Sequence, residues 1–194
     1  VVERAGGDEV AIVIADVSGK GIAASLLTGY VDALFNAYLG EGFGPREIFN
    51  RVSPQMNLKT PVEQFATAFL GIYTVATGAL HYASAGHDPT ILVRSSGEVD
   101  LLDPTGMPLG LMPEAVYTAS EATIEPGDTL VLYTDGITEA ARPDDEMFER
   151  ERLIDVCREH RGEPPEELAA SIDAAVDAFV EGVPYHDDRT LMVL

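Results

Sequence analysis

The stretch Ala11-Ile12-Val13-Ile14-Ala15-Asp16-Val17-Ser18-Gly19-Lys20-Gly21 constrains the fold more than any other. Five consecutive apolar residues are too few for a helix of ordinary length but suit a strand buried on both faces. The carboxylate of Asp16 follows where such a strand leaves the core, so a rigid element aims it. Gly19 and Gly21 permit a tight turn in which backbone can approach a ligand, and Ile22 to Leu39 then read as a long helix.

Two familiar phosphate-binding patterns come close to this turn. A phosphate-cradling P-loop needs a glycine five positions before Gly19 and a Ser or Thr after Lys20, but Ile14 and Gly21 stand there. The dinucleotide fingerprint fits Gly19-x-Gly21-x-x-Ala24 by spacing. It also requires a second strand ending in an acid about twenty residues on, where Pro45 to Asn57 read as another helix. Asp16 would further set negative charge beside a pyrophosphate.

Composition narrows the partners. The net charge is −21, from 33 acids against 12 bases over 194 residues, with no basic run. Such a surface repels nucleic acid and anionic membrane, so neither is expected as a partner. The length is that of one domain, spanning 1–194. Cys157 is the only cysteine, which excludes an intrachain disulfide and a thiolate metal cluster; it falls on the apolar stripe of an expected helix. No apolar run approaches membrane-spanning length and no signal peptide opens the chain, so a cytoplasmic location is expected. The start at Val1-Val2-Glu3 enters directly into strand-like sequence without a Met, as a piece of a longer protein would.

Along the chain, Gly6-Gly7-Asp8 reads as a hairpin turn ahead of the 10–16 strand. The first helix carries Ile22, Leu26, Leu27, Tyr30, Val31, Leu34, Phe35 and Tyr38 at spacings of three and four. Gly40, Gly42 and Gly44 end it. Pro45 opens a second helix bearing Ile48, Phe49, Val52 and Met56, and Pro61 closes the connection. The pattern then changes to β-formers: 65–73, 79–85 and 90–94, whose short separations predict an antiparallel meander. Pro104 to Pro113 is a Gly/Pro-punctuated loop. Strands at 116–124 and 129–134, helices at 148–160 and 166–180, and a strand at 190–194 complete the chain. Strands in runs with helices in pairs predict an α+β fold of two stacked, mainly antiparallel sheets flanked by helix pairs.

Three acids stand at strand boundaries: Asp16, Asp135 after Leu130-Val131-Leu132-Tyr133-Thr134, and Asp187-Asp188 just before Thr190 to Leu194. Carboxylates that converge repel one another unless cations hold them. Oxygen-only donors favour hard ions such as Mg²⁺ or Mn²⁺. Two such ions can lower the pKa of a water between them and orient it for in-line attack on phosphorus.

Five motifs in order carry a resemblance: Asp16-Val17-Ser18-Gly19-Lys20-Gly21, Ser84-Ala85-Gly86-His87, Gly106-Met107-Pro108-Leu109-Gly110, Tyr133-Thr134-Asp135-Gly136-Ile137-Thr138-Glu139 and Asp187-Asp188-Arg189-Thr190. Over essentially the whole chain the sequence resembles the metal-dependent (PPM, type 2C) serine/threonine protein phosphatases, nearest to the bacterial SpoIIE/RsbU branch. The resemblance implies an αββα sandwich with a two-ion Mn²⁺/Mg²⁺ site. It implies hydrolysis of phosphoserine or phosphothreonine on an anti-anti-sigma (STAS-type) protein, under an upstream sensor domain. Residue by residue it implies that Asp16 bridges both ions with the Val17 carbonyl as a further ligand, and that Asp135 and Asp187 complete the set. Asp188, Gly136, Glu139 and His87 are candidates for the surroundings of those ligands. His81 and His160 read as structural or solvent-facing.

Two departures bear on this reading. The branch carries Gly-Asp-x-Tyr-Asp ahead of the first hairpin, and this chain begins just past that place; Gly6-Gly7-Asp8 occupies the hairpin turn and is not a substitute. The N-terminal strand and one ligand are therefore expected to be missing from 1–194. In the wider family a histidine of Gly-His-Gly protonates the leaving alkoxide, but Ser18 stands at that place here, so the general acid is unassigned. The rival function is a pseudo-phosphatase, a regulatory module that binds a STAS partner without turnover. Because the 22–39 helix follows directly from the Asp16 turn, regulation by an upstream domain or a homodimer contact is expected to act along it.

Overall fold

The computed structural model describes residues 1–4, 7–59, 64–185 and 187–194. Gly6 of the expected hairpin turn and Pro61 of the expected helix exit lie outside these residues. The chain forms two compact units: 1–87 with 103–124, and 88–102 with 125–194.

The first unit is built on β1 (Val2–Glu3), β2 (Glu9–Val17), β3 (Ala66–Thr74), β4 (Ala79–Ala85) and β7 (Ser120–Thr123), paired antiparallel in the order β1-β2-β3-β4-β7. The nine-residue β2 is the central run of the sequence, and its register sets Asp16 opposite Thr67 and Val17 opposite Ala66. One face of this sheet is lined by Ala11, Ala68, Leu70, Ile72, Ala83 and Ala85. Against it lie α1 (Ile22–Gly40), through Leu27, Val31, Phe35 and Leu39, and α2 (Pro45–Lys59), through Ile48, Phe49, Val52 and Met56. Each buried Leu, Ile or Phe removes enough apolar surface from water to contribute about 1.5–3 kcal/mol. The small alanines leave room for the rings of Phe35 and Phe49, whose centroids are 6.0 Å apart. Tyr117 meets Phe49 edge-on at 5.6 Å.

One expectation is corrected here. By length and composition α1 is apolar enough to cross a membrane. The core explains part of that apolarity, because four of its hydrophobic residues face the sheet. Ile22 and Leu26, by contrast, are 82% and 71% exposed.

The second unit holds β5 (Thr90–Val93), β6 (Val99–Leu102), β8 (Thr129–Tyr133) and β9 (Leu191–Val193), antiparallel in the order β6-β5-β8-β9. Ile91, Val93, Val131 and Tyr133 face α4 (Glu149–Glu159) and α5 (Pro165–Phe179), which contribute Leu153, Cys157, Leu168, Ile172 and Val176. Cys157 is buried as expected, and desolvation pushes its thiol up to about 12. A single turn, α3 (Asp135–Thr138), follows β8.

The expected class, α+β with two mainly antiparallel sheets and helix pairs, is the class found. The expected meander is not. β5 leaves the sheet of β3 and β4 and pairs with β6 and β8 instead, while β7 takes the free edge of β4. The reason lies in 86–89: Gly86 adopts φ 61° and Pro89 has no N–H to give a ladder, so the chain turns out of the sheet. β6 and α3 were not anticipated, and β7 is shorter than the 116–124 run suggested.

Candidate functional site

In the first unit the end of β2 is fastened to the start of β3. Beyond the Val17–Ala66 pair, the Ser18 N–H donates to the Phe65 carbonyl at 2.9 Å, and the Phe65 N–H donates to Ser18 Oγ at 2.9 Å. Ser18 is thus a structural clamp on the turn, and Asp16 and Val17 sit half-exposed just before it. Gly19 and Gly21 take φ 92° and 82°, which the turn into α1 requires.

His87 closes the other side of this edge. It is 2% exposed, and its Nδ1 lies 3.0 Å from Thr67 Oγ1. The loop 104–113, left without a role by its sequence, holds both partners in place. Leu109 exchanges two backbone hydrogen bonds with Ala66, at 2.7 and 2.9 Å, and the Gly86 N–H donates to the Gly106 carbonyl at 2.8 Å. Pro108 packs so closely on Gly86 that a Cβ there would stand 2.5 Å from its ring. His81 and His160 are held by Glu121 and Glu163, at 3.2 and 3.0 Å.

The second unit collects the remaining acids. Asp135 starts α3, and the 187–190 segment runs against it: the Thr134 N–H donates to the Thr190 carbonyl at 3.1 Å, and the Thr190 N–H donates to Thr134 Oγ1 at 2.9 Å. Gly136 makes this approach possible, since a Cβ on it would lie 2.3 Å from the Asp188 carbonyl oxygen. Asp187 accepts the Asp188 N–H through Oδ1 at 3.0 Å.

The acids feel one another. Glu139 has a raised pKa, first from desolvation and then from the negative charges of Asp135, Asp88 and Asp187. Asp88 is raised likewise, by burial and by Asp135, with Arg150 offsetting part of the effect. Asp88 was missed from sequence, although the same strand-boundary rule reaches it: it stands immediately before Pro89 and β5. Asp135, Glu139, Asp187 and Asp88 therefore form one field of negative charge, made only of oxygen donors. That chemistry fits a hard divalent cation, and Gly136 is the cradle that lets two of its segments close up. Among the described residues no three His, Cys, Asp or Glu side chains are drawn up as a ready cage for an ion.

The model of the family described as Stage II sporulation protein E (SpoIIE) matches residues 6–194. The chain belongs to the SpoIIE family. Curated relatives of this SpoIIE-type chain include Protein IcfG of Synechocystis, 29% identical over 216 residues covering 97% of this chain and 34% of the relative. Another is phosphoserine phosphatase RsbU of Bacillus subtilis, 29% identical over 188 residues, 96% of this chain and 56% of the relative. The SiaA-PP2C domain of Pseudomonas aeruginosa superposes with a TM-score of 0.85 at 23% identity, covering 98% of this chain and 77% of that one. That likeness shows the PP2C fold. The chain spans between about a third and somewhat over half of these curated relatives' length.

Proposed function

We propose that this SpoIIE-family chain is the catalytic part of a phosphoprotein phosphatase that hydrolyses phosphoserine or phosphothreonine. Asp16, Asp135 and Asp187, with the Val17 carbonyl, are the oxygens we assign to a site for two Mn²⁺ or Mg²⁺ ions. The observation that carries the reading is the juncture at Gly136, where a residue without a side chain lets the 187–190 segment lie against Asp135. When bound, the ions would supply Lewis acidity and a water of lowered pKa for in-line attack on phosphorus.

The chain's own residues do the rest. Thr134 ties the two acidic segments together through its hydroxyl and its backbone N–H. Glu139 and Asp88, both held above their ordinary carboxylate range by burial and by the negative charge of Asp135, keep a proton more readily than a free carboxylate does. No residue is assigned as general acid, since Ser18 stands where the wider family carries a histidine.

The substrate we infer is a phosphorylated STAS-type anti-anti-sigma protein, met in the cytoplasm. An upstream sensor domain or a second copy would act on the exposed Ile22 and Leu26 of α1, one short turn from Asp16. Phosphate release from a phosphoserine protein tests the reading. It should require Mn²⁺ or Mg²⁺, stop with chelator, and fall at least 100-fold in Asp135→Asn; turnover indifferent to chelator and substitution would refute it. Titration calorimetry with Mn²⁺ separates it from a binding module without turnover, and glutamate at Ile22 and Leu26 reads the regulatory face by changing stimulated rates.

A further inference from the structure

Asp16, Thr67 and His87 form a row across the strand ends of the first unit. Asp16 and Thr67 are direct cross-strand partners, so their side chains leave the same face of the sheet with Cβ atoms about 4.5–5.5 Å apart. On the far side Thr67 Oγ1 meets the buried His87 Nδ1 at 3.0 Å. The backbone beside each of the three is fastened: Ser18 to Phe65, Ala66 to Leu109, Gly86 to Gly106 and Pro108. Three separate clamps thus flank the row, one beside each of its members.

We propose that Thr67 and His87 are positioning residues for Asp16. His87 donates its Nδ1–H to Thr67 Oγ1, and the single hydroxyl proton of Thr67 is thereby left to donate to the Asp16 carboxylate. The tautomer decides this. A hydroxyl has one proton to give, so a His87 that accepted at Nδ1 would consume it and leave Thr67 unable to donate to Asp16. A carboxylate so oriented meets a cation in a fixed rotamer, and the loss of such outer partners typically weakens metal binding 10- to 100-fold. The proposal rests on the reading of Asp16 as a metal ligand. It also gives the Gly106-Met107-Pro108-Leu109-Gly110 motif a purpose: it holds the donor and the relay at their spacing.

Two measurements test it. ¹⁵N NMR of the histidines without added metal should show neutral His87 protonated on Nδ1; a neutral His87 protonated on Nε2 overturns the proposal. Mn²⁺ titration calorimetry should show affinity reduced at least about 10-fold in Thr67→Val, restored to within about threefold of the parent in Thr67→Ser, and largely kept in His87→Asn, whose amide nitrogen reproduces the Nδ1 donor. Thermal unfolding midpoints of Thr67→Val and Thr67→Ser should agree, excluding a folding defect. If Asp16→Asn loses Mn²⁺ while Thr67→Val binds as the parent does, the positioning proposal is wrong and the ligand reading stands. If Asp16→Asn binds as the parent does, the ligand reading itself is wrong.

Discussion

Replacing Gly136 by alanine isolates the close approach on which the assignment of Asp135 and Asp187 depends. A helix-forming glycine with ordinary φ normally gains from this change, by about 0.8–1 kcal/mol. Gly136 is not among the residues of positive φ, so nothing in its own backbone demands glycine. The opposing term is steric: the new methyl would lie 2.3 Å from the Asp188 carbonyl oxygen and 3.0 Å from its carbon. Relief requires a shift of about 1 Å, which in a packed site costs about 1–3 kcal/mol. Asp188 cannot retreat freely, because its carbonyl accepts from Thr134 Oγ1 at 3.4 Å and Thr190 is bonded to the same hydroxyl. Loosening that contact adds about 1 kcal/mol. The balance is a net loss of about 1–3 kcal/mol, a fall in Tm of several degrees for a chain of this size, at roughly 2–4 °C per kcal/mol. Gly29→Ala is the control. It lies inside α1 with nothing within 4 Å of the added methyl, so it should gain about 0.5–1 kcal/mol. Urea and thermal unfolding of both variants read the difference. A Gly136→Ala protein as stable as the parent, alongside a stabilised Gly29→Ala, would refute the argument.

Two further outcomes follow from the second unit. Glu149 opens α4 at φ 62°, a conformation that costs a side-chain-bearing residue about 1–2 kcal/mol, so Glu149→Gly should raise the urea midpoint; an unchanged or lower midpoint would contradict the strain. The Asp128 side chain is 2% exposed, and burial alone would raise its pKa, but N–H groups of Ser95, Arg94 and Glu125 at 2.8–3.0 Å more than offset this and hold it below the usual carboxylate range. Since the folded pKa is the lower one, this stabilisation is complete above the unfolded value and disappears as pH falls through the folded value. Asp128→Asn should therefore cost about 2–4 kcal/mol at pH 7 and flatten the dependence of stability on pH below about 4, as pH-dependent urea unfolding would show; a parent-like acid limb would refute it.

Much of this protein is local. The apolar run Ala11–Ala15, the three-and-four spacing of α1 and α2, and the alternation of β3 and β4 each express a period imposed by backbone geometry, and a period survives in a one-dimensional string. So does an acid placed at a strand's end, which is why Asp16, Asp135 and Asp187 stand out as candidates in the sequence alone. Short elements such as β6 and α3 were not, because four residues carry too little periodicity to be distinguished from loop. What tertiary structure alone decided is adjacency across long separations. It sent β5 to the second sheet, set Asp88 against Asp135, and brought Thr67 between Asp16 and His87. Those relations depend on strand register and on where a Gly-Pro turn redirects the chain, and both are settled by packing that no single segment contains.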